Sequence, residues 1–143
     1  MSKRLTKAQF QYIEDELRHY HETKKELEEL RSNVITGSIF REYKDDNIGG
    51  SSSGGVSNPV ERQATILEMD KQINRMSKVV SAITDVLSRI SENDKTMIQL
   101  RYWSNHKHTW EYIAIQSFMD RATAIRHRDI IIKEIAKQTG FKI

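Results

Sequence analysis

Arg121, Thr123 and Arg126 lie at the start of the stretch RATAIRHRDIIIKEIAKQ, residues 121–138. Guanidinium groups in that setting suit nucleic-acid recognition, because an arginine fork pairs bidentately with a guanine edge and discriminates by about 1–3 kcal/mol. Wound as a helix, the stretch puts Ala122, Arg126, Asp129 and Lys133 on one face. Ala124, Ile131 and Ile135 recur on the opposite face at steps of seven and four, the spacing of a buried stripe. Small Ala124 lets the helix sit close to its neighbour, while Arg121 occupies the first turn. Thr123, and Ile125 at the rim, suit sugar–phosphate or a thymine methyl. Lys107, His108 and Thr109 precede a shorter helical stretch, WEYIAIQSF, where a helix N-terminus and basic neighbours favour backbone phosphate. Trp110, with an indole N–H, is a further phosphate donor, or else part of the core with Tyr102, Trp103 and Tyr112.

Other chemistries lack their residues. There is no glycine-rich phosphate loop, no cysteine nucleophile and no Ser/His/Asp set that helical geometry would gather, so no enzyme is expected. Zero cysteines exclude disulfides, iron–sulfur clusters and thiolate zinc sites. His106 and His108 make half a metal site with no third ligand nearby in sequence. Asp45 and Asp46 read as a solvated loop, and His127 as a partly buried core residue. Neither metal nor cofactor is expected.

The elements that must position these residues are helical. Of six glycines, five fall between Gly37 and Gly55, and the single proline is Pro59. Residues 36–58 therefore read as a flexible linker of 23 residues, since Gly and Ser cost much ordering entropy for little buried area. No stretch alternates with period two for long enough to suggest a sheet, so the fold expected is all-α. Before the linker, Phe10, Ile13, Leu17, Tyr20, Leu27 and Val34 recur along a helix over about 6–34, with Lys24 and Arg31 in two slots of the seam and Thr6 as its N-cap. After it, Asn58 caps and Pro59 opens a helix over about 59–90. Ile66, Met69, Ile73, Met76, Val80, Ile83, Leu87 and Ile90 recur there in strict 3-4 steps, the seam of a coiled coil. The two stripes can be buried against each other as a hairpin or between chains, and a homo-oligomer, a dimer above all, is expected.

From residue 91 to 143 the texture changes to three short helices of about 12, 9 and 18 residues. Ser91, Thr109 and Asp120 are their N-caps, and Gly140 ends the last. That is the layout of a helix-turn-helix module following residues 1–90, and a fragment over 91–143 is expected to retain weak, salt-sensitive DNA binding. Charge agrees: the 143-residue chain has a net charge of +3, and residues 91–143 alone hold nine basic and six acidic groups. A mean hydropathy of −0.67 and the absence of an apolar run near the ~20 residues of a membrane span point to a cytoplasmic protein without a membrane partner. The first residues, MSKRLTKAQF, lack the apolar core of a signal peptide.

The segment from Ser91 to Lys137 resembles a sigma-factor region 4-type helix-turn-helix, and the whole chain resembles the RinA/ArpU group of phage late transcriptional regulators. The match lies in LEELRSNVITGS (Leu27–Ser38), DDNIGG (Asp45–Gly50) and MDRATAIR (Met119–Arg126). The resemblance implies an activator of phage or prophage late genes for packaging, morphogenesis or lysis. Its partners would be double-stranded DNA at a late promoter and host RNA polymerase. Sigma-like modules usually carry glycine in the turn before the recognition helix, where this chain has Phe118. A small terminase-like subunit for DNA recognition and assembly is the alternative, and a ring of eight or more subunits would mark it.

Overall fold

A computed structural model describes residues 4–35 and 59–141. Among them are six helices and no strand: α1 (Lys7–Arg18), α2 (Tyr20–Ile35), α3 (Pro59–Arg89), α4 (Glu92–Tyr102), α5 (Trp110–Gln116) and α6 (Arg121–Gln138). The fold is all-α, as expected from the sequence. The linker over 36–58, its DDNIGG segment and the Asn58 cap lie outside the described residues.

Local signals start these helices where the residue types put them. Thr6 and Gln9 form a reciprocal capping box at α1, with Gln9 N–H donating to Thr6 Oγ1 at 3.1 Å and Thr6 N–H to Gln9 Oε1 at 3.0 Å. Ser91 accepts from Asp94 N–H at 3.1 Å at the start of α4, and Thr109 from Tyr112 N–H at 3.2 Å at the start of α5. The Asp94 carboxylate instead lies 2.7 Å from His127 Nδ1 on α6, so a residue placed by local spacing makes a tertiary contact.

The first helix breaks where one continuous helix was expected. His19 leaves helical geometry (φ −95°, ψ 11°), and its ring Nδ1 lies 2.8 Å from the Asp15 carbonyl. The Leu17 carbonyl, which a continuous helix would present to His21 N–H, accepts from the Trp103 indole at 2.9 Å. A partner far along the chain thus separates α1 from α2.

Two compact units follow: Met1–His21 with Lys78–Ile143, and Glu22–Ser77. In the first, α1, α4, α5, α6 and the end of α3 surround one core. Ile13, Leu17, Ile83, Met97, Ile98, Ile113, Ile132 and Ile135 are each fully buried there. In the second, Leu27 is buried and Arg31 donates to Ser77 Oγ at 2.7 Å. Within the first unit, the Tyr20 and Thr84 hydroxyls lie 2.6 Å apart, joining the start of α2 to the end of α3. The α3 seam is buried at Val80 and Ile83 and half-buried at Ile66, Met69, Ile73 and Met76. No helix among the described residues is long and apolar enough to cross a membrane.

Candidate nucleic-acid interface

The turn between α5 and α6 sets how the basic stretch is presented. Ser117 caps α5, Phe118 N–H donates to Ile115 O at 3.2 Å, and Met119 N–H donates to Ala114 O at 2.9 Å. That is a Schellman motif, whose residue after the cap must be left-handed. Phe118 takes that conformation, φ 57°, with its ring 84% exposed. The end of α6 repeats the motif with the usual residue: Gly140 has φ 101°, its N–H donates to Lys137 O, and Phe141 N–H donates to Ala136 O. Phe118 thus takes a backbone geometry usually left to glycine, despite carrying a Cβ. Ser117 is wholly buried, and its hydroxyl has no hydrogen-bond partner.

Beyond the turn, Asp120 sits at the N-cap of α6 with extended backbone. Its side chain makes no full cap hydrogen bond, yet the Thr123 hydroxyl nearby, with Arg126 adding charge, holds its carboxyl below the usual value. Arg121, Ala122 and Arg126 are exposed and Thr123 and Ile125 half-buried, while Ala124 is fully buried on the opposite side. Arg126 Nη2 donates to Thr123 Oγ1 at 3.1 Å, and Arg121 Nε lies 3.0 Å from Glu111 Oε1 on α5. Arg126 therefore keeps more of its charge for a ligand than Arg121 does. Lys133 is half-buried two turns further along, and Asp129 is exposed and paired with Arg128 at 2.7 Å.

Ahead of α5, Lys107 is exposed and Thr109 serves as the cap. His108 is half-buried, with Nε2 3.0 Å from Ser104 Oγ and its ring stacked on Tyr112 at 4.6 Å. Trp110 is half-buried. Its ring lies 4.8 Å from the Arg101 guanidinium and 5.1 Å from that of Arg128, so it serves the packing beneath the site.

Sequence reasoning missed the cluster behind α6. Arg128 is 14% exposed, 3.3 Å from Glu14 Oε2, and also lies over the Phe10 ring at 5.1 Å. Tyr102 donates to the same Glu14 oxygen at 2.7 Å. Burial, then the Glu14 carboxylate, pushes the Tyr102 hydroxyl well above its ordinary pKa. Burial opposes the Arg128 charge, but Tyr102 and Asp129 outweigh it and raise its pKa. The signal was present: Arg128 falls between Ala124 and Ile131 at steps of four and three, on the buried stripe itself. Through this cluster α1 is tied to α6. His127, expected to be partly buried, is 39% exposed and bound to Asp94. Among the described residues no three His, Asp or Glu side chains gather to hold a metal ion.

A family model described as "Protein of unknown function (DUF722)" matches residues 29–137, from α2 to the end of α6. The transcriptional activator rinA of Staphylococcus phage phi11 is 30% identical over 128 residues, covering 90% of this chain and 88% of that protein. No solved structure matches. Matched along most of its length by that family model and by that relative, the chain belongs to the RinA-type family.

Proposed function

We propose that this chain is a sequence-specific DNA-binding activator of phage or prophage late genes, working with host RNA polymerase. The observation that carries the DNA reading is the division of α6 into a buried stripe and an exposed, arginine-bearing N-terminal half. The kinship with a transcriptional activator supports the regulatory part. In this reading α5, the turn and α6 act as a helix-turn-helix, and the first turns of α6 enter the major groove. Arg126 forks to a guanine, Ala122 gives the groove floor room to approach, and Thr123 and Ile125 touch sugar or a thymine methyl at the rim. Lys107, His108 and the α5 N-terminus hold phosphates, and Lys133 a phosphate further along. Arg121 must exchange Glu111 for DNA, so it contributes less than Arg126.

Footprinting on DNA adjacent to the chain's own gene tests this reading. A protected site is expected, and Arg126→Ala should weaken binding there by about 10- to 100-fold, in line with about 1–3 kcal/mol for one bidentate contact. Arg121→Ala should cost less. Unchanged binding in the Arg126→Ala, Arg121→Ala double variant would remove α6 as the recognition helix.

A further inference from the structure

The turn between α5 and α6 carries a side chain that the reading of α6 leaves unused. Phe118 holds a left-handed backbone, φ 57°, at the position of its motif that Gly140 fills at the end of α6. That conformation costs a residue with a Cβ free energy that glycine would save. Burial does not offset the cost, because Phe118 is the most exposed large hydrophobic side chain among the described residues. The backbone on either side is pinned. Ser117, wholly buried, donates its N–H to Ile113 O at 3.0 Å, and Met119 N–H donates to Ala114 O at 2.9 Å. A strained residue on a fixed support, with its ring in solvent, is a candidate for contact with a ligand rather than for holding the fold.

We infer that the Phe118 ring contacts the 5-methyl group of a thymine in the site that α6 reads, and so selects that base at one position. The inference rests on the DNA reading of α6 and adds a specificity contact to it. Chain length supports the placement. Phe118 comes three residues before Arg121, at most about 10 Å away, whereas the major groove is about 12 Å wide. A groove that admits the first turn of α6 therefore has the ring within its width. Charge selects the chemistry of the contact. Asp120, exposed and two residues on, sets a carboxylate beside the ring, and a phosphate drawn there would be repelled. What remains is the base edges, where the thymine methyl is the apolar group and phenylalanine a fitting partner. Tyr112 and Ile115 are exposed too, but they lie further back on α5, and the Tyr112 ring is already stacked on His108.

The test uses the full-length protein and duplexes carrying the site protected in footprinting. Each thymine is replaced in turn by deoxyuridine, which lacks only the methyl group, and affinity is read by fluorescence anisotropy. At one position the unsubstituted protein should lose about three- to fivefold, the worth of one buried methyl group. Phe118→Gly should bind the thymine and uracil duplexes equally at that position and keep the unsubstituted protein's response at every other. This variant folds, because it removes a strained Cβ and an exposed ring and leaves the motif that Gly140 already uses. Equal affinity of the unsubstituted protein for all duplexes would overturn the inference while leaving the DNA reading in place. So would the same methyl dependence in Phe118→Gly; if that variant also failed to activate transcription, the ring would belong to a protein partner. The absence of any protected site would overturn both the inference and the DNA reading.

Discussion

Phe118 and Gly140 occupy the same position of the same motif at the ends of successive helices, so each serves as a control for the other. A left-handed backbone costs a residue with a Cβ about 1–2 kcal/mol, and the Phe118 ring, 84% exposed, recovers little by burial. Phe118→Gly should therefore raise stability by about 1 kcal/mol, or roughly 3 °C in Tm, by chemical and thermal denaturation. Gly140→Ala should lower it, since the left-handed geometry is strained for alanine and its Cβ would lie 3.2 Å from Lys78 Nζ. The Arg128 cluster has the opposite sensitivity. Glu14→Ala leaves a guanidinium that is 14% exposed with Asp129 as its remaining carboxylate, and should cost about 2–3 kcal/mol. Tyr102→Phe, which removes one hydrogen bond to the same carboxylate, should cost about 1 kcal/mol.

At the scale of elements, the pair α5–α6 is not closed by α4 alone. Residues up to His21 and from Lys78 onward form one compact unit with it, and α1 contributes Ile13, Leu17 and Glu14. A fragment over 91–143 exposes that apolar surface and strips Arg128 of Glu14. It should show no cooperative unfolding transition, against the weak retained DNA binding that residue spacing alone led one to expect. Circular dichroism on heating separates the two outcomes. The α3–α6 contact has its own pH signature. The Gln138 amide, at 2.7 Å, and then Arg89 hold the Asp85 carboxyl below its usual value of 3.8. A lowered folded pKa contributes stability that is present above the unfolded value and is lost as pH falls through the folded one. Asp85→Asn should therefore flatten the loss of stability below pH 3.8, measured by denaturant titration. Glu16 works in the other sense. Its pKa is raised by burial, so its contribution is present below 4.5 and lost as pH rises through the folded value.

For the whole molecule, the modest charge sets how binding should respond to salt. The basic groups of the candidate interface stand beside Glu111, Asp120 and Asp129, so few phosphates can be neutralised by one chain. The logarithm of affinity falls with the logarithm of salt in proportion to the phosphates contacted, about 0.9 per phosphate. A slope of about −2 to −4 per chain is expected in titrations from 50 to 200 mM salt, and Lys107→Ala should reduce it by roughly one without changing sequence preference. A slope that does not change would remove Lys107 from the phosphate contacts.

What the sequence determined by itself was whatever depends on neighbours along the chain. Caps at Thr6, Ser91 and Thr109, the stop at Gly140, the all-helical class and the buried Ala124–Ile131–Ile135 stripe are short-range consequences of residue type and helical period, and all were legible. The RinA-type kinship was legible too, in DDNIGG and the α6 segment. Tertiary structure decided what depends on residues far apart. The Trp103 indole takes the Leu17 carbonyl and separates α1 from α2. Glu14 and Tyr102 close on Arg128, turning a charge on the buried stripe into the tie between α1 and α6. Trp110 is set against the guanidinium groups of Arg101 and Arg128. Glu111 blunts one of the two arginines on which the reading of α6 began, leaving Arg126 as its principal candidate. Each of these depends on partners that helical periodicity cannot place, because periodicity says which face is buried but not what buries it.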